Sequence, residues 1–302
     1  MGGKISNFAQ VASVRRYTLT EGRGRGLDVI DCDNGKIRFL LNVSKALDVM
    51  QMYHEGQNVS FLSKNAFTAR EIPFARRFEG GMIYTCGLDN VGRREGYELH
   101  GSLHSIPAEI LRAACTEEGI TVEAVIRDTA LFGQNLALYR KISAPIGAEC
   151  VTLEDTLVNE GYTDAEYSLL YHINVGYPLL DDGAEIKADV AAVEPLGAWA
   201  EENEPRLLQI RNPMPGEDET CYYLNLNRPE ISLINGKVGK KLTVRYSKDT
   251  LPCFLLWKSM ASGDYAVGLE PCTTEAGARL RPVTIHPEAR VSFRVTVGVE
   301  KI

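Results

Sequence analysis

The chain has 302 residues, a formal charge of -7 and 44% hydrophobic residues. That acidic balance argues against nucleic-acid or anionic-membrane binding, both of which favour basic patches. No apolar run approaches the roughly 20 residues of a membrane-spanning helix, and the N-terminus lacks the pattern of a signal peptide.

Taken in chain order, the predicted elements are short strands bounded by Gly, Asn or Asp. "SVRRYTLT", "LDVIDCD", "KIRFLLNV" and "NVSFLS" open the series, with "DNGK" at Asp33–Lys36 as a tight turn between the second and third. "PAEILRAACTEEG" opens on Pro and closes on Gly, so it is the best helical candidate. "GITVEAVIRD" returns to strand texture. The second half continues it through "CVTLEDTLVNEGY", "YSLLYHINVGYPLL", "ADVAAV", "CYYLNLN", "LTVRYS", "CFLLWKSM", "DYAVGLEP" and "ARVSFRVTVGV". Many short strands at this spacing predict an all-β sandwich or barrel with few short helices. No linker, low-complexity run or charge block divides the chain, so one domain over residues 1–302 is expected, with residues 1–26 peripheral. The seven cysteines, Cys32, Cys86, Cys115, Cys150, Cys221, Cys253 and Cys272, form no CxxC or other metal spacing. They suit reduced thiols and a cytoplasmic location. "MGGKIS" meets the loose N-myristoylation pattern, which is short enough that a chance match is the better reading.

Polar residues inside apolar strands are the informative exceptions. In "YSLLYHINVGYPLL", His172 and Asn174 stand two residues apart and share one face of the strand. Either neighbours in the core satisfy them, or they line a wet concave site, since an unsatisfied buried group costs roughly 1–3 kcal/mol. Glu270 precedes Pro271 in "GDYAVGLEPCT". It is either an exposed strand end or a carboxyl at a cavity mouth, where burial would raise its pKa and suit it to general-base work. "LHGSLHSIPAE" holds His100 and His104. Gly101, Ser102 and Pro107 disfavour a helix that would let the two histidines clamp one metal. In extended chain they lie about 13 Å apart at roughly 3.3 Å per residue. No metal site is therefore expected, and two separate polar contacts along one cavity wall fit better. Upstream, "FARRFEGGMIYTCGLDNVG" brings Arg76, Arg77, Asp89 and Asn90 close in sequence without a GxGxxG or P-loop. Arg, Asp and Asn suit a hydroxyl-rich ligand, because each hydroxyl both donates and accepts. Arg77, Asp89 and Asn90 are the candidates there, with turn-capping as the plain alternative.

The order "TCGLDNVG … LHGSLHSIPA … IRDTALFGQNLALYRKISAPIGA … NEGY … LLYHINVGYPLLDDGAEI … VGLEP" resembles a branch of the aldose 1-epimerase, or galactose mutarotase-like, family. The resemblance runs from about Leu27 to the C-terminus. It implies a large twisted β-supersandwich with a sugar groove on the concave face of its main sheet. It also implies roles: His172 as general acid, Glu270 as general base, and His100 as support for the ring or anomeric oxygens. The chain departs from the family pattern at Ser102, in place of a glycine, at the additional His104, and at Tyr171, in place of the asparagine before the acid histidine. The implied function is cofactor-free interconversion of the anomers of a monosaccharide or modified sugar. His104, Asn174, Arg77, Asp89 and Asn90 are its expected substrate contacts, and Arg76 and Arg77 hint at an anionic substituent. Alternatives are a non-catalytic carbohydrate-binding protein, or a sugar isomerase or lyase on the same scaffold, including a metal-assisted one using His100, His104 and Glu270. A homodimer is a possible assembly.

Overall fold

The alternation of apolar and polar residues translates into two large antiparallel sheets and a small two-stranded one in a computed structural model, which describes residues 3–302. Met1 and Gly2, on which the myristoylation pattern rests, lie outside the described residues. The first sheet is a five-stranded meander of β1 (Ser13–Thr18), β2 (Asp28–Asp33), β3 (Ile37–Asn42), β4 (Asp48–His54) and β5 (Gln57–Asn58). The "DNGK" turn joins β2 to β3: Gly35 takes a φ of 88°, and Asn34 Oδ1 accepts from the amides of Lys36 and Ile37. "NVSFLS" yields only the short β6 (Phe61–Leu62), paired with β7 (Gly80–Gly81). Between them lies the four-residue helix α1 (Phe74–Arg77).

The second sheet has thirteen strands among the described residues. They are β8 (Ile83–Leu88), β9 (Glu109–Cys115), β10 (Gly119–Thr129), β11 (Asn135–Pro145), β12 (Cys150–Asn159), β13 (Ala165–Val175), β14 (Glu185–Pro195), β15 (Thr220–Asn235), β16 (Lys240–Tyr246), β17 (Cys253–Ser259), β18 (Ala266–Cys272), β19 (Val283–Ile285) and β20 (Arg290–Lys301). Their spatial order is β19-β13-β18-β17-β15-β16-β20-β12-β11-β10-β9, with β8 also on β13 and β14 also on β15. The first half of β15 pairs with β17 and its second half with β16, so this one long strand joins the two parts of the sheet.

Two sequence expectations are corrected here. "PAEILRAACTEEG" is not a helix; it contains β9, the edge strand on β10. Helix propensities differ by less than about 1 kcal/mol per residue and yield to the backbone hydrogen bonds that β10 offers. Glu270 is not a strand end, because β18 continues through Pro271 to Cys272 and Glu270 is fully buried. Among the described residues, no helix is long and apolar enough to cross a membrane.

The main core fills the space between the sheets, with Phe39, Leu41 and Met52 of the first sheet and Leu138, Leu153 and Phe293 of the second in one cluster. β13 reads as almost continuously apolar because both of its faces are covered. Leu169, Tyr171 and Ile173 enter that core, while Leu170 joins a second cluster on the opposite face with Tyr84, Tyr223 and Leu255.

Within the main core lies a buried ionic network. Arg140 on β11 faces Asp155 on β12 and binds it through Nε at 2.9 Å and Nη2 at 2.7 Å. The same guanidinium donates to Asp48 Oδ1 at 2.7 Å, the Ala46 carbonyl at 2.8 Å and Thr85 Oγ1 at 3.0 Å. Tyr171 donates to Asp155 at 2.8 Å. Burial alone would raise the Asp48 carboxyl, but a bond from His104 and the Arg140 charge hold it below its ordinary range. Removing one partner of such a network leaves uncompensated charge in the core. Arg140→Leu is therefore expected to cost about 3–5 kcal/mol, read as a lower urea midpoint in equilibrium unfolding.

Candidate functional site

Strand register builds the site. Leu170 pairs with Cys272 and Ile173 with Leu269, which sets His172 on β13 opposite Glu270 on β18. On its other side His172 pairs with Tyr84 of β8. Glu270 in turn faces Leu255, which faces Tyr223, so one row crosses five strands as Tyr84, His172, Glu270, Leu255 and Tyr223. The next row runs Asn174, Gly268, Trp257 and Cys221. Residues of one row share a face, and His172, Glu270, Leu255, Tyr223, Trp257 and Cys221 of these rows form the floor of a cleft of about 730 Å³.

His172 Nε2 and Glu270 Oε1 are 3.2 Å apart on that floor. The approach is too poorly aligned for a hydrogen bond, which leaves both Glu270 oxygens buried without partners, and the other imidazole nitrogen, His172 Nδ1, is buried without one as well. Gly268 makes the arrangement possible. A β-carbon there would lie 2.2 Å from Glu270 Oε1, 3.0 Å from His172 Cε1 and 3.1 Å from Trp257 Cε3.

The surroundings are aromatic. The His172 ring lies 5.5 Å from Phe78, 5.7 Å from His100 and 5.3 Å from Trp257, centroid to centroid. Burial first, and then repulsion from His100, hold the His172 pKa well below 6.5. Burial, with Glu219 adding to it, holds Glu270 well above 4.5. Both directions favour the neutral forms, a protonated carboxyl beside a neutral imidazole.

His100 lines the same cleft and is pushed down to about 4 by burial. It holds a left-handed φ of 65°, unusual for a residue with a side chain. The loop around it explains this. Gly101 lets three oxygens crowd in, for a β-carbon there would meet the Asn90 and Gly87 carbonyls at 2.5 Å and Asp89 Oδ1 at 2.6 Å. Asp89 accepts from the Ser102 amide, and Asn90 donates to the Gly92 and Glu98 carbonyls. Asp89 and Asn90 thus cap the loop that presents His100, and neither lines the cleft.

The other three expected contacts also stand outside the cleft lining. His104 is buried between Asp48 at 2.8 Å and Glu79 at 3.1 Å, with its ring stacked on Tyr84 at 3.7 Å. Burial opposes its charge, but Glu79 and Asp48 outweigh that and raise its pKa. In place of two histidines along one wall, His100 faces the cleft and His104 packs on Tyr84, the β8 neighbour of His172. Arg77 is buried against Ser105, Glu98 and Glu71. Asn174 donates to the His172 carbonyl at 3.0 Å and the Gly80 carbonyl at 3.4 Å, which steadies the strand.

Sequence reasoning missed Trp257, Glu219, Lys64, Asn65, Arg93 and Asp264, all of which line the cleft. Trp257 Nε1 donates to Glu219 at 2.7 Å, and Lys64 pairs with Asp264 at 2.6 Å. The available signal was the acidic run "GEDET" just before β15, together with a tryptophan two residues from Leu255 on one strand face. Among the described residues, no group of three or more His, Cys, Asp or Glu is arranged to hold a metal ion.

The raised Glu270 pKa has a stability consequence. The folded state keeps that proton while the unfolded state releases it above about 4.5. The favourable contribution is full below that pH and is lost as pH rises toward the folded value. Glu270→Gln removes this loss. The variant is expected to melt at a higher temperature than the parent at pH 7.5, and the gap is expected to close at pH 4 when scanning calorimetry is repeated there.

Comparison with known proteins follows the geometry. The family model described as "Domain of unknown function (DUF4432)" matches residues 24–299. No curated protein matches by sequence. Among solved structures, a Klebsiella pneumoniae protein described as a "putative aldose 1-epimerase" superposes with a TM-score of 0.87 at 19% identity, over 95% of this chain and 83% of that one. A galactose mutarotase-like protein from Clostridium acetobutylicum gives a TM-score of 0.73 at 12% identity, over 97% and 100% of the two chains. Galactose 1-epimerase from Lactobacillus acidophilus gives 0.67 at 14%, over 96% and 99%. The fold is the galactose mutarotase-like all-β sandwich.

Proposed function

For this chain, which belongs to the DUF4432 family, we propose an aldose 1-epimerase activity that interconverts sugar anomers by ring opening and closure. The observation that carries the reading is the pair His172 and Glu270, 3.2 Å apart on the cleft floor, with buried nitrogen and oxygen atoms left unpartnered. Such atoms occur elsewhere in the chain as well, but here they gather, with His100 Nδ1, at one cleft, where the hydroxyls of a bound sugar would supply the missing bonds. The mutarotase-like fold of the neighbours agrees with a sugar as that ligand.

The chemistry uses the single proton of the pair. Burial favours the protonated form of Glu270 and the neutral form of His172. The reaction starts from an imidazolium and a carboxylate, a charged form that the hydroxyls of a bound sugar stabilise by hydrogen bonds to both groups. Glu270 then takes the proton of the anomeric hydroxyl while His172 gives its proton to the ring oxygen. The bond from the anomeric carbon to that oxygen breaks, leaving an open-chain aldehyde. After rotation about the C1–C2 bond, His172 takes the proton back as the ring closes and Glu270 returns its own to the new anomeric oxygen. Protons balance over the cycle, and no other group needs to change its charge.

The substrate in this reading is an uncharged aldose. The lining includes Glu217, Asp218, Glu219 and Asp264 besides Glu270, against Lys64 and Arg93. Arg77, which hinted at an anionic substituent, is engaged with Glu71 and Glu98. A phosphate would meet more like charge than opposite charge.

Anomer exchange followed by saturation-transfer NMR or polarimetry over a panel of free sugars tests the activity. His172→Ala and Glu270→Gln are each expected to lower kcat about 10²–10⁴-fold while sugar binding largely persists. Full activity in both variants would show the assignment to be wrong. The pH profile is a separate check. The one-proton pair persists from the depressed His172 value to the elevated Glu270 value. Accordingly kcat/KM is expected to fall on both sides of that window. Its acid limb is expected below the ordinary histidine range and its alkaline limb above the ordinary carboxylate range.

A further inference from the structure

One end of the large sheet carries apolar side chains that nothing else in the chain covers. The turn between β10 and β11, residues 130–134, holds Leu131 at 88% exposure and Phe132 fully exposed. Tyr162, in the loop between β12 and β13, is fully exposed as well. Other large apolar side chains among the described residues reach at most 68%. The two loops stand side by side. The Glu160 amide donates to the Asn135 carbonyl at 2.9 Å, Asn135 Nδ2 donates to the Glu160 carbonyl at 3.1 Å, and Arg127 pairs with Glu160 at 2.7 Å. Leu131, Phe132 and Tyr162 therefore project from one patch.

The backbone holds that patch open. The turn is closed by bonds from the Gly133 amide to the Ala130 carbonyl and from the Ala130 amide to the Gln134 carbonyl, both 3.0 Å. Within it Phe132 takes a left-handed φ of 60°, a conformation that disfavours any residue with a β-carbon. Gly133, its neighbour, could adopt such an angle freely and does not. The turn thus accepts strain while its aromatic ring gains no contact within the chain. Strain of this kind persists where function requires it.

Charge and area point to the occupant. Arg127 and Arg290 are interleaved with Glu160, Asp164 and Glu288 around the two loops, and His286 is bonded to Asp164 at 2.8 Å. A rim of both signs offers no field to a polyanion or a strongly charged protein. Set against its own copy through a twofold axis, it can bring basic groups to acidic ones. The two exposed aromatic side chains offer about 300–500 Å² to bury. Paired copies therefore cover about 600–1,000 Å² through the aromatics alone. Leu131 and the flanking turn carry the total past the roughly 1,000 Å² that a stable contact needs. We propose that this patch is the twofold interface of a homodimer, in which Leu131, Phe132 and Tyr162 of one protomer pack on the same residues of a second copy. None of the three lines the cleft, so the interface does not rest on the epimerase reading.

Sedimentation velocity of the full chain between about 1 and 100 µM tests the proposal. The parent is expected to sediment as a dimer at the upper end of that range. Leu131→Ser, Phe132→Asn and Tyr162→Ser are each expected to raise the dimer dissociation constant about tenfold or more. Their circular dichroism is expected to match the parent's, because side chains this exposed contribute little to the fold of their own chain. Asparagine also tolerates the left-handed angle at position 132. A parent that stays monomeric at about 100 µM, a mass that climbs past the dimer, or a dimer that all three substitutions leave intact overturns the proposal.

Discussion

A single guanidinium organises the interior. Arg140 carries its charge into a core where an isolated ion would cost several kcal/mol, and the carboxylates of Asp155 and Asp48 offset that cost only in this geometry. The constraint reaches far because its partners come from different elements. Asp48 opens β4 of the first sheet, Thr85 sits on β8, Asp155 on β12, and Tyr171 on β13. The two sheets are thus registered against each other by directional bonds as well as by apolar packing. β13 is held on its core face by Tyr171 while its other face presents His172. His104 extends the same network from Asp48 to Glu79 and stacks on Tyr84, the residue paired with His172 across β8 and β13.

The cleft face is built in the opposite way. Where the Arg140 network pairs its charges, the site leaves Glu270 and His172 with unused bonding capacity in an apolar, aromatic setting. Keeping a carboxyl there stabilises its protonated form at the expense of folding free energy near neutrality. Gly268 is the local device that permits this, because any side chain would occupy the space of the carboxyl. Rigid strands on both sides then hold the pair in place, so the proton has a short and fixed route.

Much of this was legible from residue patterns, and the failures have physical causes. The strands and the "DNGK" turn follow from local chemistry, since β-branched runs and an Asn-Gly turn act over a few residues. His172 and Asn174 were correctly placed on one strand face. The β9 segment was misread because its alanines, leucine and glutamate favour a helix locally, and only an available sheet edge overrides that. Glu270 was taken for a strand terminus or a cavity-mouth group because Pro271 follows it, yet a strand tolerates proline where no ladder bond is required. Asp89 and Asn90 were read as ligand contacts, with turn-capping as the alternative, and the structure places them in the capping role. The ionic network was also visible in part: Arg140 shares parity with Leu138 and Ile142, and Asp155 with Leu153 and Leu157. A charge at an apolar position of a strand is a sign of a buried partner.

By itself the sequence determined the β-rich architecture, the strand faces and the scarce residues able to move protons, because these depend on composition and on a period of two along the chain. Only the tertiary structure decided which residues meet. Register set His172 opposite Glu270 across nearly a hundred residues of chain, turned His100 toward the cleft and His104 away from it, and laid Trp257 along the same floor. Those pairings arise from long-range hydrogen bonding and burial, and neither quantity is carried by any local stretch of residues.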